Sequence, residues 1–277
     1  MKRILLLLAA LTLSSTQNAQ GFGYELLLGQ FDQLEQDLQK FNDKLSRVIS
    51  GKSDHRFTNR TFDATFVSSC KDTNTNVSGV YRINPELSIV PPFLVYCDNN
   101  VSDGGWTVIH RRYDGSLNFN RNWAEYRQGF GNLQGEYWLG LEKMHQITRI
   151  GNYELLVVLK DFNGTSKSAL YGHFSVASEF EQYKLNLGRF VSGEAKDSLS
   201  AINGMMFSTV DRDNDVGDGN CAQTHSSGWW HKNCFEANMN GMYMKGRVLK
   251  TMSWYYFNNS HECLQEAKML IRLTESN

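Results

Sequence analysis

Beyond its N-terminus this chain of 277 residues lacks any apolar run of the length a membrane helix needs, about 18 residues. It also lacks an excess of either charge. The 28 lysines and arginines stand against 29 aspartates and glutamates, a balance that offers no electrostatic case for nucleic acid or an anionic membrane. Prolines number three, two of them adjacent at Pro91 and Pro92, and no repeat or low-complexity tract occurs. There is no G-x-S-x-G elbow, no H-E-x-x-H, no phosphate-binding glycine loop and no catalytic-cysteine signature, which argues against an enzyme. The five cysteines include no pair with the close spacing of a zinc knuckle.

What is present begins with residues 1–19. Lys2 and Arg3 precede an apolar run from Ile4 to Leu13 and a small polar tail, the pattern of a cleaved signal peptide. The mature protein is expected to be secreted and soluble. Within residues 22–50, Tyr24, Leu27, Phe31, Leu34, Leu38, Phe41, Leu45 and Val48 alternate spacings of three and four, a heptad seam. An amphipathic helix folded onto its own domain has the same pattern; a short coiled coil making a homodimer or homotrimer is the favoured reading. Residues 51–66 have no sustained period and read as a linker. N-x-[ST] sequons occur at Asn59, Asn76, Asn100, Asn163 and Asn258, and behind a signal peptide they predict a glycoprotein.

Residues 67–277 are enough for one domain with a sizeable core. Short apolar or alternating runs at Gly79–Ile83, Phe93–Tyr96, Trp106–His110, Glu154–Lys160, Ala169–Val176 and Met269–Leu273 are separated by glycine-rich turns, which predicts a mainly antiparallel sheet. Helices are expected near Asn122–Phe130 and Glu142–Thr148. In an exported protein, Cys70, Cys97, Cys221 and Cys234 read as sequential bridges, Cys70–Cys97 and Cys221–Cys234. Cys263 is left over, either buried and inert or linking two chains.

The stretch from Gly204 to Gly241 concentrates the chemistry. Asp211, Asp213 and Asp215 alternate with polar residues and run into Gly217 and Gly219, so carboxylates and free carbonyls can converge on a hard cation such as calcium. It is not an EF-hand: counting from Asp211, the sixth loop position is Val216 and the twelfth is Ala222. A Cys221–Cys234 bridge would stabilise the segment that follows by about 3 kcal/mol. Trp229, Trp230 and His231 near its tip mark an anchored irregular loop, where binding sites are usually found.

The runs GGWTVIHRRYDGSLNF (Gly104–Phe119) and GFGNLQGEYWLGLEKMHQIT (Gly129–Thr148), followed by this loop, resemble the fibrinogen C-terminal domain family, which includes ficolins, tachylectins and angiopoietins. The resemblance implies an α+β domain with a disulfide-bonded N-terminal part, a central twisted antiparallel sheet and a loop-rich C-terminal part. It implies that calcium is bound by the carboxylates of Asp213 and Asp215 and the carbonyls of Gly217 and Gly219, with Asp211 outside that shell. It also implies a cis peptide bond between Asn233 and Cys234, which in family lectins turns backbone N–H groups toward the ligand beside an aromatic funnel for an acetyl group.

This chain departs from that funnel. The expected tyrosine four residues after the first loop cysteine is His225, and the expected histidine after the second is Phe235. The loop between Gly246 and Trp254 is shorter by about three residues than the family pattern implies, and a further aromatic position falls near Ser260. His225, Trp230, Asn233, Cys234 and Phe235 are the candidate ligand-binding residues. The function expected is that of a secreted calcium-binding lectin that recognises glycans or other surface ligands in pattern recognition, favoured by the layout of a short coiled coil before the domain; the alternative is a signalling or matrix ligand for a protein receptor, which the altered funnel supports.

Overall fold

The computed structural model describes residues 67–73, 75–85, 91–246 and 249–274. The expected signal peptide (1–19), coiled-coil helix (22–50), linker (51–66) and the Asn59 sequon lie outside these residues. The strands form where β-branched and aromatic side chains alternate or run together. In chain order they are β1 (Gly79–Ile83), β2 (Phe93–Asp98) and β3 (Trp106–Arg112). After a first helix, α1 (Trp123–Gln128), come β4 (Phe130–Gly131) and β5 (Tyr137–Trp138). A second helix, α2 (Leu141–Thr148), precedes β6 (Tyr153–Asp161), β7 (Ser166–Tyr171), β8 (Phe174–Val176), β9 (Leu185–Leu187) and β10 (Phe190–Ser192). The last third holds α3 (Cys221–His225), β11 (Ala237–Asn238), β12 (Ser253–Trp254), α4 (Tyr255–Asn258) and β13 (Leu264–Leu273).

Among the described residues nine strands share one sheet, whose main path is β1-β2-β3-β13-β6-β7-β10, with β5 and β4 added along β3. All its pairings are antiparallel, and few helices accompany it, so the fold is α+β. β13 lies between β3 (Ile271↔Thr107, Ala267↔Arg112) and β6 (Leu273↔Tyr153, Ala267↔Leu159). Both neighbours are almost continuously buried, as strands covered on both faces are.

The expected single strand Ala169–Val176 is two. β7 ends at Tyr171, Gly172 donates its N–H to Arg189 O (3.1 Å), and β8 leaves the large sheet to pair with β9. The bend at Gly172 ends the ladder. α1 is fixed by a capping box, Asn122 accepting from Glu125 N (3.0 Å) while Glu125 accepts from Asn122 N (3.1 Å). α2 buries Leu141, Met144, Ile147 and Thr148, an apolar stripe at helical spacing.

Between the sheet and the Gly204–Gly241 loop lies an aromatic floor. Tyr126, Trp138, Phe207 and Trp230 are buried, with centroids of 5.1 Å for Tyr126–Phe207, 5.8 Å for Trp138–Phe207 and 5.2 Å for Phe207–Trp230. Arg112, at the end of β3, ties the sheet to the far end of the loop by donating to Met239 O (3.2 Å) and Gly241 O (2.9 Å). Its buried charge faces Glu136 at 3.8 Å. Glu136 in turn accepts from the backbone N–H groups of Tyr113, Asp114, Gly115 and Leu117 at 2.7 to 3.1 Å.

Candidate ligand-binding loop and metal centre

The loop closes at its base by a two-bond bridge between Ser208 and Trp229, with N···O distances of 2.9 and 3.1 Å. Asp211 is held outward: its Oδ1 accepts from Trp123 N (2.9 Å) at the start of α1 and from Thr209 Oγ1 (2.7 Å). Burial raises its pKa, but the bonds from Thr209 and Trp123 outweigh that and hold the carboxyl below its ordinary range. Asp211 therefore anchors the loop to a helix.

Asp213 and Asp215 lie on the following turn. Asp213 Oδ1 accepts from Asp215 N (3.1 Å), while Asp215 uses Oδ1 for Gly217 N (2.8 Å) and Oδ2 for Cys221 N (2.8 Å). Asp215 thus ties the turn to the first residue of α3. The position a Cβ on Gly217 would take lies 3.2 Å from Asp215 Oδ1, 3.5 Å from Asn233 Oδ1 and 3.5 Å from Gly219 O. Three oxygens therefore converge beside a residue with no side chain. Among the described residues no cluster of three or more His, Cys, Asp or Glu is placed to hold a metal. A carboxylate with a carbonyl and an amide oxygen, beside a second carboxylate at Asp213 on the same turn, is instead the donor chemistry a hard, oxygen-seeking cation takes. The arrangement fits calcium, with Asp213, Asp215, Gly217 and Gly219 as the residues that would hold it.

Asn220 caps α3, its side chain accepting from Gln223 N (2.9 Å), and Ser226 ends it in the left-handed conformation at φ 54°. The Cys221–Cys234 bridge spans a Cα–Cα distance of 5.6 Å, and Cys70–Cys97 one of 5.4 Å. Cys263 is buried, its Sγ donating to Leu264 O (3.3 Å), and burial pushes its thiol up. A bridge between folded domains through this thiol is therefore excluded. The Asn233–Cys234 peptide bond is cis. Val216 N donates to Lys232 O (3.2 Å) and Lys232 N to Cys234 O (2.8 Å), so the aspartate turn and the disulfide segment run side by side.

The candidate ligand residues separate into two sets. Trp230 is 1 % exposed, packs on Phe207 and Phe174, and donates from Nε1 to Tyr183 O (2.8 Å). It is part of the core floor and does not line a ligand site; Trp229 is equally buried. The sequence pattern WWH shows two large apolar rings, and both go inward because Gly228 lets the chain pass against Tyr126, whose ring carbon lies 2.4 Å from where a Cβ would be. His225, Asn233, Cys234 and Phe235 remain at or near the surface. The His225 ring meets Phe235 edge-on at 4.7 Å, and its Nδ1 lies 3.2 Å from Leu249 O.

His261 and Tyr255, which the sequence pattern does not mark, complete this face together with His231 of the loop. His261 meets Phe235 edge-on at 5.4 Å and Tyr255 at 5.1 Å, and His231 stands 5.9 Å from Phe235 beneath them. Burial lowers the pKa of His225 and takes that of His231 down to about 4. Tyr255 and His261 arrive through the pairing of β11 with β12 (Ala237↔Trp254, Asn238↔Ser253), twenty or more residues downstream of Phe235 in sequence, so no local motif announces them. The segment that carries Leu249, whose carbonyl faces His225, exposes Met242 (46 %), Met244 (39 %) and Leu249 (58 %), with Met242 bridged to Thr251. Two clefts, of about 690 and 500 Å³, lie elsewhere and are not lined by the loop.

Comparison with known proteins accords with this architecture. Angiopoietin-related protein 6 of Mus musculus is 45% identical over 201 residues, 71% of this chain and 43% of that protein. Ryncolin-4 of Cerberus rynchops is 39% identical over 218 residues, 76% of this chain and 63% of that protein. The chain therefore spans about two to three fifths of the length of these curated relatives. The solved fibrinogen-like globe domain of human ANGPTL6 superposes with a TM-score of 0.72 at 40% identity, covering 76% of this chain and 96% of that one. With residues 66–274 matching the family described as fibrinogen beta and gamma chains, C-terminal globular domain, the chain belongs to that family.

Proposed function

We propose that the chain is an exported, calcium-stabilised recognition protein that does no catalysis, and that its loop face docks onto a protein partner. The observation that carries the reading is the make-up of that face. The two tryptophans are withdrawn into the core, while Phe235 is ringed by His225 and His261, His225 faces the Leu249 carbonyl, and the segment from Met242 to Leu249 exposes Met242, Met244 and Leu249. A monomer gains nothing from leaving three large apolar side chains of one short segment in water, whereas an interface buries them. The bound cation and the disulfide hold this face in shape before the partner arrives, which lowers the ordering cost of association. Self-association through residues 22–50 would multiply weak contacts, since linked sites gain about 100-fold or more without new interactions.

A lectin reading is favoured by one observation, that Asn233, Cys234 and Phe235, among the residues the family resemblance makes candidates for ligand contact, stay at or near the surface. A glycan array probed in millimolar calcium and again in chelator, run beside binding to cultured cells with Leu249→Glu, separates the two. Loss of cell binding in the variant together with a blank array supports the protein partner. Calcium-dependent binding to a defined sugar class that Leu249→Glu leaves intact refutes it in favour of the lectin.

A further inference from the structure

The cleft of about 690 Å³ opens beside the Cys70–Cys97 bridge, and the proposed function makes no use of it. Its size lies within the roughly 300–1,000 Å³ of pockets that enclose small ligands. Lys71, Thr73, Asp103, Glu154 and Arg272 line it, so it offers hydroxyl, carboxylate and cationic groups. Asn76 lines it as well and opens the sequon Asn76-Val77-Ser78. The segment bearing Asn76 is clamped. Asn99 donates from Nδ2 to Thr75 O (2.9 Å) and Val77 O (3.0 Å), the carbonyls on either side of Asn76, and its Oδ1 accepts from Gly105 N (2.9 Å). The opposite wall is equally fixed: Arg272 pairs with Glu154 at 2.7 Å and lies over the Trp106 ring at 4.3 Å. Asn76 itself is exposed. Asn100, Asn163 and Asn258 are exposed too, yet none of them lines the cleft.

We propose that this cleft is the seat of an N-linked glycan carried by Asn76, with its first N-acetylglucosamine units lying against Asp103 and the Arg272–Glu154 wall. In the folded domain the Ser78 hydroxyl accepts from Asn99 N (2.9 Å), so attachment precedes closure of the clamp. The donor is an oligosaccharide carried on a lipid pyrophosphate. The Asn76 side-chain nitrogen bonds to the anomeric carbon, the bond from that carbon to the phosphate oxygen breaks, its electron pair leaves with the lipid pyrophosphate, and the amide gives up one proton to base. Nothing is oxidised or reduced. Folding then places the sugar in a polar cleft where its hydroxyls replace water on charged groups, and sugar so seated is slow to leave.

The inference rests on the export assumed in the proposed function. The test is to express the full chain in secreting animal cells, map sugar at each sequon by mass spectrometry, and follow release by peptide N-glycosidase without denaturation. Asn76 is expected to be modified in the secreted protein, and its sugar to be released about tenfold more slowly than that on Asn163 at the β6–β7 turn, a ratio equivalent to one docking equilibrium of that size. Asp103→Ala, an exposed change, should bring the two rates together while leaving occupancy unchanged. A secreted protein with Asn163 modified and Asn76 bare overturns this inference and leaves the recognition reading standing. Equal release rates with no effect of Asp103→Ala also overturn it. A chain retained in the cell with every sequon bare refutes export, and this inference with it.

Discussion

Asp213→Ala and Asp215→Ala should be equal in one respect and unequal in another, and the difference tests the calcium reading. If both carboxylates hold the cation, either substitution abolishes the rise in Tm on adding calcium. At a calcium concentration about 100 times Kd that rise corresponds to about 2.7 kcal/mol. A domain of this size shifts by about 2–4 °C per kcal/mol, so the wild type should gain roughly 5–11 °C. In chelator the two variants part. Asp213 accepts one exposed bond from Asp215 N at 3.1 Å, and losing it should cost less than about 1 kcal/mol. Asp215 accepts from Gly217 N and Cys221 N, both at 2.8 Å, and so joins the turn to α3 with no metal present. Bonds to a charged acceptor contribute about 1.5 kcal/mol each at the low end suited to a half-exposed loop, so Asp215→Ala should lose about 3 kcal/mol in chelator. Differential scanning calorimetry of the three proteins, with and without calcium, reads all of this. A full calcium response in Asp213→Ala, or identical melting of the two variants in chelator, would refute the assignment.

Trp230→Ala should destabilise the domain by about 3–5 kcal/mol in urea unfolding, because it empties the floor beneath the loop and orphans Tyr183 O, whereas a surface ligand residue would cost little. Cys263→Ser should leave migration on non-reducing gels unchanged, since the thiol is 1 % exposed; loss of a covalent dimer band would contradict the burial. Below the ordinary histidine pKa the unfolded chain protonates His231 while the folded chain, with a pKa of about 4, does not, so stability should fall as pH is lowered from about 6.5 to about 4. Burial lowers His110 in the same direction, and Tm measured against pH should therefore keep part of this slope in His231→Gln. Glu136→Ala leaves Arg112 as an uncompensated buried charge and removes the acceptor for four backbone N–H groups, so a loss of about 3–5 kcal/mol is expected in thermal unfolding.

Much of the fold was legible because its strands are short, apolar and bounded by glycine. Gly79–Ile83 forms a strand over the expected residues, and Trp106–His110 extends only to Arg112. The break at Gly172 was not legible, because whether a chain bends at a glycine depends on which strand offers it a partner, here the segment at Arg189. In the loop, the paired cysteines could be placed, because their bridge is set by local spacing. Trp230 was misplaced because pattern reports that a side chain is large and apolar but not which way it faces. His261 and Tyr255 were passed over for a related reason. They reach Phe235 by tertiary pairing of β11 with β12, and nothing in their own neighbourhood marks them.

The position of β13 bears on how the protein is made. Leu264–Leu273 is the last of the described strands yet sits between β3 and β6 at the middle of the sheet. During synthesis the two halves of that sheet are complete long before the strand that joins them leaves the ribosome, so they wait with paired edges open to the wrong neighbour. Shielding by chaperones matters most in that interval. A stop codon anywhere before Leu264 removes the centre of the sheet and not its margin, and a tag fused after the last strand has to be joined by a linker that leaves both of its ladders free to form.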